Sequence, residues 1–156
     1  REGKVDFVSD APLEIISASS EHLQGAVDLN KRTFAFVINN ASFKGFNSPL
    51  QQQHFYENYI ESHKYPRSSF EGKIIEDYDL SIDGTYSIRA KGILSVHGEE
   101  QERIIKCTFV KDAGEIFVES DFKVPLEDHN IKIPRIVYQK IAEVINVHVK
   151  AKLEKQ

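Results

Sequence analysis

At 156 residues and 17.8 kDa the chain has the size of one ordinary domain, long enough to bury a single substantial core. With 40% hydrophobic and 28% charged residues, 8 Gly and 5 Pro, its composition is neither disordered, collagen-like nor of low complexity. A net charge of −4 argues against non-specific nucleic-acid binding and against a polybasic membrane anchor, while the lone Cys107 excludes an intramolecular disulfide, a paired-cysteine redox motif and a thiolate-rich zinc site.

The opening Arg1-Glu2-Gly3-Lys4-Val5-Asp6-Phe7 carries no initiator Met and no apolar signal core. Any export leader has therefore been removed, lies outside this chain or never existed. No run of about eighteen apolar residues follows, so stable membrane insertion is not expected. Short stretches at 5–8, 13–18, 23–29 and 33–38 predict strands, the last carrying Phe34 and Phe36. Ser48-Pro49 then reads as an N-cap with Pro at the first helical position, and Leu50, Phe55, Tyr59 and Ile60 predict a helix running to about residue 60. Phe43, Phe46, Phe55, Tyr56 and Tyr59 cluster around it. They would form a movable lid over a barrel mouth, or pack the helix against the barrel's outside.

A strand at 68–75 contains Phe70. From 85 to 96, Tyr86, Ile88, Ala90, Gly92, Leu94 and Val96 alternate with Ser87, Arg89, Lys91, Ile93, Ser95 and His97. This is the pattern of a half-buried antiparallel strand. Ile105, Cys107 and Phe109 follow on one face, then Ile116, Val118, Ser120, Phe122 and Val124, and finally Ile145, Val147, Val149, Ala151 and Leu153. Asp83-Gly84, His97-Gly98 with the polar run 99–102, and Asp112-Ala113-Gly114 predict the turns of a meander. A second helix is expected from Pro134, with Ile136, Val137, Ile141 and Val144 on one side. The sum is one all-β domain over residues 1–156, an antiparallel barrel of about eight strands with one or two short helices.

A barrel of that size is filled by its own side chains or holds one small ligand. Small residues on the inward faces (Ala90, Gly92, Cys107, Ser120 and Ala151 beside Phe34, Phe36, Phe109 and Phe122) either interdigitate with large ones or leave space. In the second case Phe34, Phe36, Phe70, Ile88, Leu94, Ile105, Phe109, Val118, Phe122 and Val147 line a tunnel. Ala90 and Gly92 then hold it open, so enlarging either would fill the tunnel at little cost to folding.

Three strings carry a family resemblance. His54-Phe55-Tyr56-Glu57-Asn58-Tyr59-Ile60, Lys64-Tyr65-Pro66-Arg67-Ser68-Ser69-Phe70-Glu71-Gly72 and Lys91-Gly92-Ile93-Leu94-Ser95-Val96-His97-Gly98, in this order, resemble the YceI-like polyisoprenoid-binding proteins. The likeness extends over residues 25–153 and takes in Phe122-Lys123-Val124-Pro125-Leu126-Glu127-Asp128. The Trp-x-x-Asp opening and the Arg-Asp-x-His-Leu helix of that family are absent, Leu50-Gln51-Gln52-Gln53-His54 standing in place of the latter, which marks a divergent member. The resemblance implies a lipocalin-like barrel whose tunnel holds a long apolar chain, and a periplasmic or secreted location.

Catalytic candidates are few. The six histidines, at 22, 54, 63, 97, 129 and 148, show neither a His-Glu-x-x-His pair nor zinc-ligand spacing. His148 shares an outward face with Lys150 and Lys152 and reads as solvated, and His97 reads as bonded to a turn backbone. Glu127-Asp128-His129 reads as a polar turn, and Glu99-Glu100-Gln101-Glu102-Arg103 as a hairpin tip. Cys107 reads as a buried small hydrophobe. The expected function is non-catalytic binding or transport of a polyisoprenoid, isoprenoid quinone or fatty acid, by a monomer or homodimer without metal or cofactor. Phe43, Phe46, Phe55, Tyr59, Ala90 and Gly92 join the ten tunnel residues as candidate ligand contacts. The competing readings are an enzyme acting on a lipid and a protein-interaction module with a filled barrel.

Overall fold

The computed structural model describes residues 2–154. Its strands are β1 (Glu2–Asp10), β2 (Ile15–Ser20), β3 (Gln24–Asp28), β4 (Thr33–Asn39), β5 (Arg67–Ile74), β6 (Gly84–Val96), β7 (Glu99–Asp112), β8 (Glu115–Pro125) and β9 (Val144–Glu154). They form one antiparallel sheet in the order β2-β1-β9-β8-β7-β6-β5-β4-β3. The sheet curls on itself until Gly3 of β1 meets His22, just ahead of β3, in an isolated parallel bridge. The fold is all-β, a curled lipocalin-like barrel of nine strands.

The two-residue period decides which side chains enter. On β6, Ile88, Ala90, Gly92 and Leu94 are buried while Arg89 and Lys91 are exposed. Register carries this face across the sheet: Ile88 stands opposite Cys107, Ala90 opposite Ile105, Phe109 opposite Val118, and Phe122 opposite Val147. At one end Leu80, Phe109, Ile116 and Leu153 are almost wholly buried with Phe34 and Ile74, and they close the barrel there. A second cluster, around Val5, Ala18, Leu23, Ile38, Phe43 and Ala151, continues the core toward the other end.

Two expectations fail locally. The run 99–102 is strand rather than hairpin tip, because the turn needs only His97 and Gly98 and Glu99 already pairs with Val96. Both turn residues have positive φ (56° and 72°), the two-residue geometry whose twist matches the flanking strands. The acids and Arg103 then alternate across β7 as strand residues do. The helix expected from Pro134 is only a 3-10 turn, Arg135–Val137, without a side-chain cap. The backbone of this stretch is committed to the barrel instead: Leu13 donates to the Gln139 carbonyl and Ala142 to Ser9 Oγ, each at 2.8 Å. Ile136 therefore faces solvent and not a packed stripe.

The first helix behaves as expected. Ser48 Oγ accepts from the Gln51 amide at 3.1 Å and α1 (Pro49–His54) begins on Pro49. It continues as a π-helical turn, Phe55–Tyr59, with Ile60 donating to the Phe55 carbonyl at 2.9 Å. Glu61, at φ 51°, ends it. Among the described residues no helix is long and apolar enough to cross a membrane.

Candidate functional site: an apolar cavity roofed by a short helix

Above the closed end lies a cavity of about 600 Å³, lined overwhelmingly by carbon. β4, β5 and β6 contribute Phe34, Phe36, Phe70, Ile88, Ala90 and Leu94 to its wall, and β7, β8 and β9 contribute Ile105, Phe109, Val118, Phe122 and Val147. Phe43, Phe46, Phe55 and Tyr59 form the roof. Leu80, Ile116 and Leu153 do not reach the cavity and act as its floor.

Gly92 is the exception among the expected lining residues. It does not line the cavity. A Cβ placed there would stand 2.2 Å from the Glu71 carbonyl oxygen, and one on its cross-strand partner Gly72 would stand 2.0 Å from the Lys91 oxygen. Gly92 lets β5 and β6 bend closely past each other at a barrel corner and does not hold a tunnel open. Of the two small residues expected to do so, Ala90 alone lines the space.

The wall's Asn40, Ser68 and Ser120 side chains are occupied. Asn40 Nδ2 donates to the Tyr65 carbonyl at 2.8 Å while its Oδ1 accepts from Ser68 Oγ at 2.7 Å. Ser120 Oγ donates to the Lys106 carbonyl at 2.6 Å. Polar atoms satisfied in this way leave a dry interior suited to hydrocarbon. The mouth is different. Glu14, Ser48, Gln51, His54, Tyr59 and Lys140 line it, and burial raises the Tyr59 hydroxyl pKa above its ordinary value.

The roof is held on both sides. Phe55 stacks on Phe7 with ring centres 5.3 Å apart and packs against Phe46 at 5.1 Å, and the Tyr56 hydroxyl donates to the Phe43 carbonyl. These rings favour the lid reading, since Phe43, Phe46, Phe55 and Tyr59 all face the cavity and not the barrel's outside. At one edge Gln51 Nε2 and Asn47 Nδ2 donate to Glu14 Oε2 at 2.5 and 3.2 Å. At the other, buried His97 bridges by hydrogen bonds, its Nε2 2.7 Å from Glu61 Oε1 and its Nδ1 3.0 Å from the His129 carbonyl oxygen.

The second anchor was only half legible in sequence, since His97 does bond turn-like backbone but also holds the end of the roof. His97 and Lys64 bonds pull the Glu61 carboxyl below its ordinary value of 4.5. A depressed carboxylate contributes stability above its unfolded value and loses it as pH falls through the folded one. The Tm difference between the parent and Glu61→Gln should therefore be present at neutral pH and shrink on acidification below about pH 4. A difference constant with pH would show that the pair contributes nothing through its charge.

Two further histidines gain partners that the sequence does not show. His148 stands on the outward face as expected, its side chain 34% exposed, and lies between Asp121 Oδ1 at 2.6 Å and Glu119 Oε2 at 3.2 Å. Glu127-Asp128-His129 does form a polar turn directly after Pro125, the 3-10 turn Leu126–His129 with Glu127 and Asp128 exposed, but its His129 is fully buried and donates from Nδ1 to the Glu99 carbonyl at 3.0 Å, fastening the turn onto β7. Among the described residues no three His, Cys, Asp or Glu side chains come together as a metal site would require.

Cys107 lies in the wall and burial pushes its thiol from 9.0 to about 11. The folded state thus holds this proton more tightly, and stability falls as pH rises from 9 toward 11. The loss is about 3 kcal/mol at 1.36 kcal/mol per unit. Urea unfolding should show that Cys107→Ala removes this part of the alkaline loss; an identical slope in both proteins would count against it.

Sequence reasoning missed several lining residues. Phe7 and Ile16 were detectable from the alternation of Val5, Phe7 and Ser9 and of Ile16 and Ala18, but those strands are short. Ile131, Val137 and Ile141 also face the cavity, the last two from the stretch read as a helix from Pro134, which forms only a 3-10 turn.

Comparisons with known proteins agree with this architecture. The likeness to solved structures includes a polyisoprenoid-binding domain from Saccharophagus degradans implicated in plant cell wall breakdown (TM-score 0.82, 12% identity, covering 99% of this chain and 94% of that one). BcnA of Burkholderia cenocepacia is similar (TM-score 0.79, 14% identity, 97% and 96% coverage), as is the YceI protein of Campylobacter jejuni (TM-score 0.69, 13% identity, 89% and 84% coverage). At such identities these relatives speak for the fold alone. No curated protein matches the sequence. The YceI-like domain model matches residues 3–153, nearly the whole described chain including β1 and β2, and the chain belongs to the YceI-like family.

Proposed function

We propose that this protein binds and carries, without catalysis, one long-chain amphiphile (a polyisoprenoid, an isoprenoid quinone or a fatty acid) in the roofed cavity, as a monomer or homodimer in the periplasm or outside the cell. The observation that supports this most is the cavity itself. Its volume of about 600 Å³ lies within the span of small-molecule sites, and its wall is apolar, with the Asn40, Ser68 and Ser120 side chains occupied. Each methylene moved from water into it is worth about 0.8 kcal/mol, so ten give about 8 kcal/mol, equivalent to roughly micromolar affinity before the cost of ordering the chain. The head group would stay at the mouth, near Glu14, Gln51, His54, Tyr59 and Lys140. That the Saccharophagus degradans relative is described as polyisoprenoid-binding favours the isoprenoid members of this ligand class.

Organic extraction of the natively purified protein, followed by mass spectrometry, is the direct test, and a stoichiometric long-chain lipid is expected. Absence of any such lipid together with failure to bind a fluorescent isoprenoid or fatty-acid probe would defeat the reading. Turnover of a bound lipid would convert the protein into an enzyme. Cell fractionation of the native producer tests the location.

A further inference from the structure

The mouth of the cavity carries an exposed apolar rim. Among the described residues, six large hydrophobic side chains are at least 60% exposed, and five of them sit on segments at this end: Leu13, Ile15, Leu50, Ile136 and Tyr138, with Ile136 at 92%. The sixth, Ile82, lies in the connection between β5 and β6. The five come from three separate segments, fastened together by the Leu13–Gln139 backbone bond and by the Asn47 and Gln51 bonds to Glu14. Glu14, Leu50, Gln51, Val137 and Lys140 from the same segments line the cavity, so the rim is continuous with its opening.

The rim is also basic on an acidic protein. Residues 130–142 contain Lys132, Arg135 and Lys140 and no Asp or Glu, against a whole-chain charge of −4. All three are exposed, and none makes an ion pair among the described residues. Glu14, held by the neutral amides of Asn47 and Gln51, keeps its charge, so the rim segments 13–15, 47–54 and 130–142 carry three cations against this one acid, with Asp10 and Glu143 at their flanks. Exposed Ile, Leu and Tyr side chains beside unpaired Lys and Arg are the composition of a surface that settles at the boundary of an anionic bilayer, with apolar groups among the upper acyl chains and cations on the headgroups. The charge asymmetry also orients the approach, since the rest of the molecule is repelled.

We infer that the cavity mouth docks on an anionic phospholipid surface, so that an apolar chain passes between bilayer and cavity without crossing water. This rests on the cavity-binding reading, and the two are separable by experiment. The parent should co-sediment with phosphatidylcholine vesicles containing phosphatidylglycerol, not with phosphatidylcholine alone, and added salt should weaken the association. The double variant K132Q/R135Q removes two cations that do not line the cavity and should bind anionic vesicles about thirty-fold less tightly. Ile136→Ser should weaken binding with no change in fluorescent-probe binding in free solution. Equal sedimentation with neutral and anionic vesicles, or variants that dock like the parent, would overturn the inference. So would a dimer, seen by sedimentation velocity without vesicles, that Ile136→Ser dissociates, because the rim would then cover a second copy. Vesicle docking without probe binding would leave the docking surface standing and remove the cavity reading.

Discussion

Gly92→Leu is expected to lower folding stability by about 3 kcal/mol or more, roughly 10 °C in Tm, and Gly72→Val to do the same. The atoms in the way are backbone: the Glu71 carbonyl oxygen at 2.2 Å and carbon at 2.7 Å for Gly92, and the Lys91 oxygen at 2.0 Å with the Gly92 Cα at 2.5 Å for Gly72. A flexible side chain could swing aside, but these atoms are held in the β5–β6 ladder by the neighbouring pairs Glu71–Ile93 and Lys73–Lys91. Relief therefore requires opening the ladder at the corner that gives the barrel its curvature. Urea or thermal unfolding of both variants checks this. A parent-like midpoint for Gly92→Leu combined with lost probe binding would instead restore Gly92 to the ligand space.

Ala90→Phe should behave in the opposite way. Ala90 lines the cavity beside Ile88 and Leu94, with Ile105 opposite it in register. A phenyl ring there projects into free volume, so the overpacking penalty should stay near the lower end of the usual range, about 1 kcal/mol. The ring takes the place of three or four ligand methylenes at about 0.8 kcal/mol each, which predicts about a hundred-fold weaker binding of a fluorescent fatty-acid or isoprenoid probe. Near-normal thermal stability with that loss supports a chain-binding cavity. Unchanged probe affinity would place the ligand elsewhere, and a large drop in stability would show that the space is not available.

Much of this protein was determined by its sequence alone. Alternation at 85–96, 116–124 and 145–153 settled both the strands and their inward faces, because a strand with one wet and one dry face must repeat every two residues. Ser48-Pro49 specified the start of α1 through local hydrogen bonding, and the Lys91-to-Gly98 string with its companions pointed to the family. Tertiary structure decided the rest. Whether Gly92 opens a cavity or permits a bend depends on how near the neighbouring strand passes, which no spacing along the chain encodes. Residues 130–143 wind only a 3-10 turn and no longer helix, and two of their backbone groups bond instead to β1 and the turn after it, partners more than 120 positions away in the chain. His97 and Glu61 meet across 36 positions only after the barrel has closed. Contacts of that range follow from the packing of whole elements, so the roof's anchors and the basic, apolar rim became visible only in three dimensions.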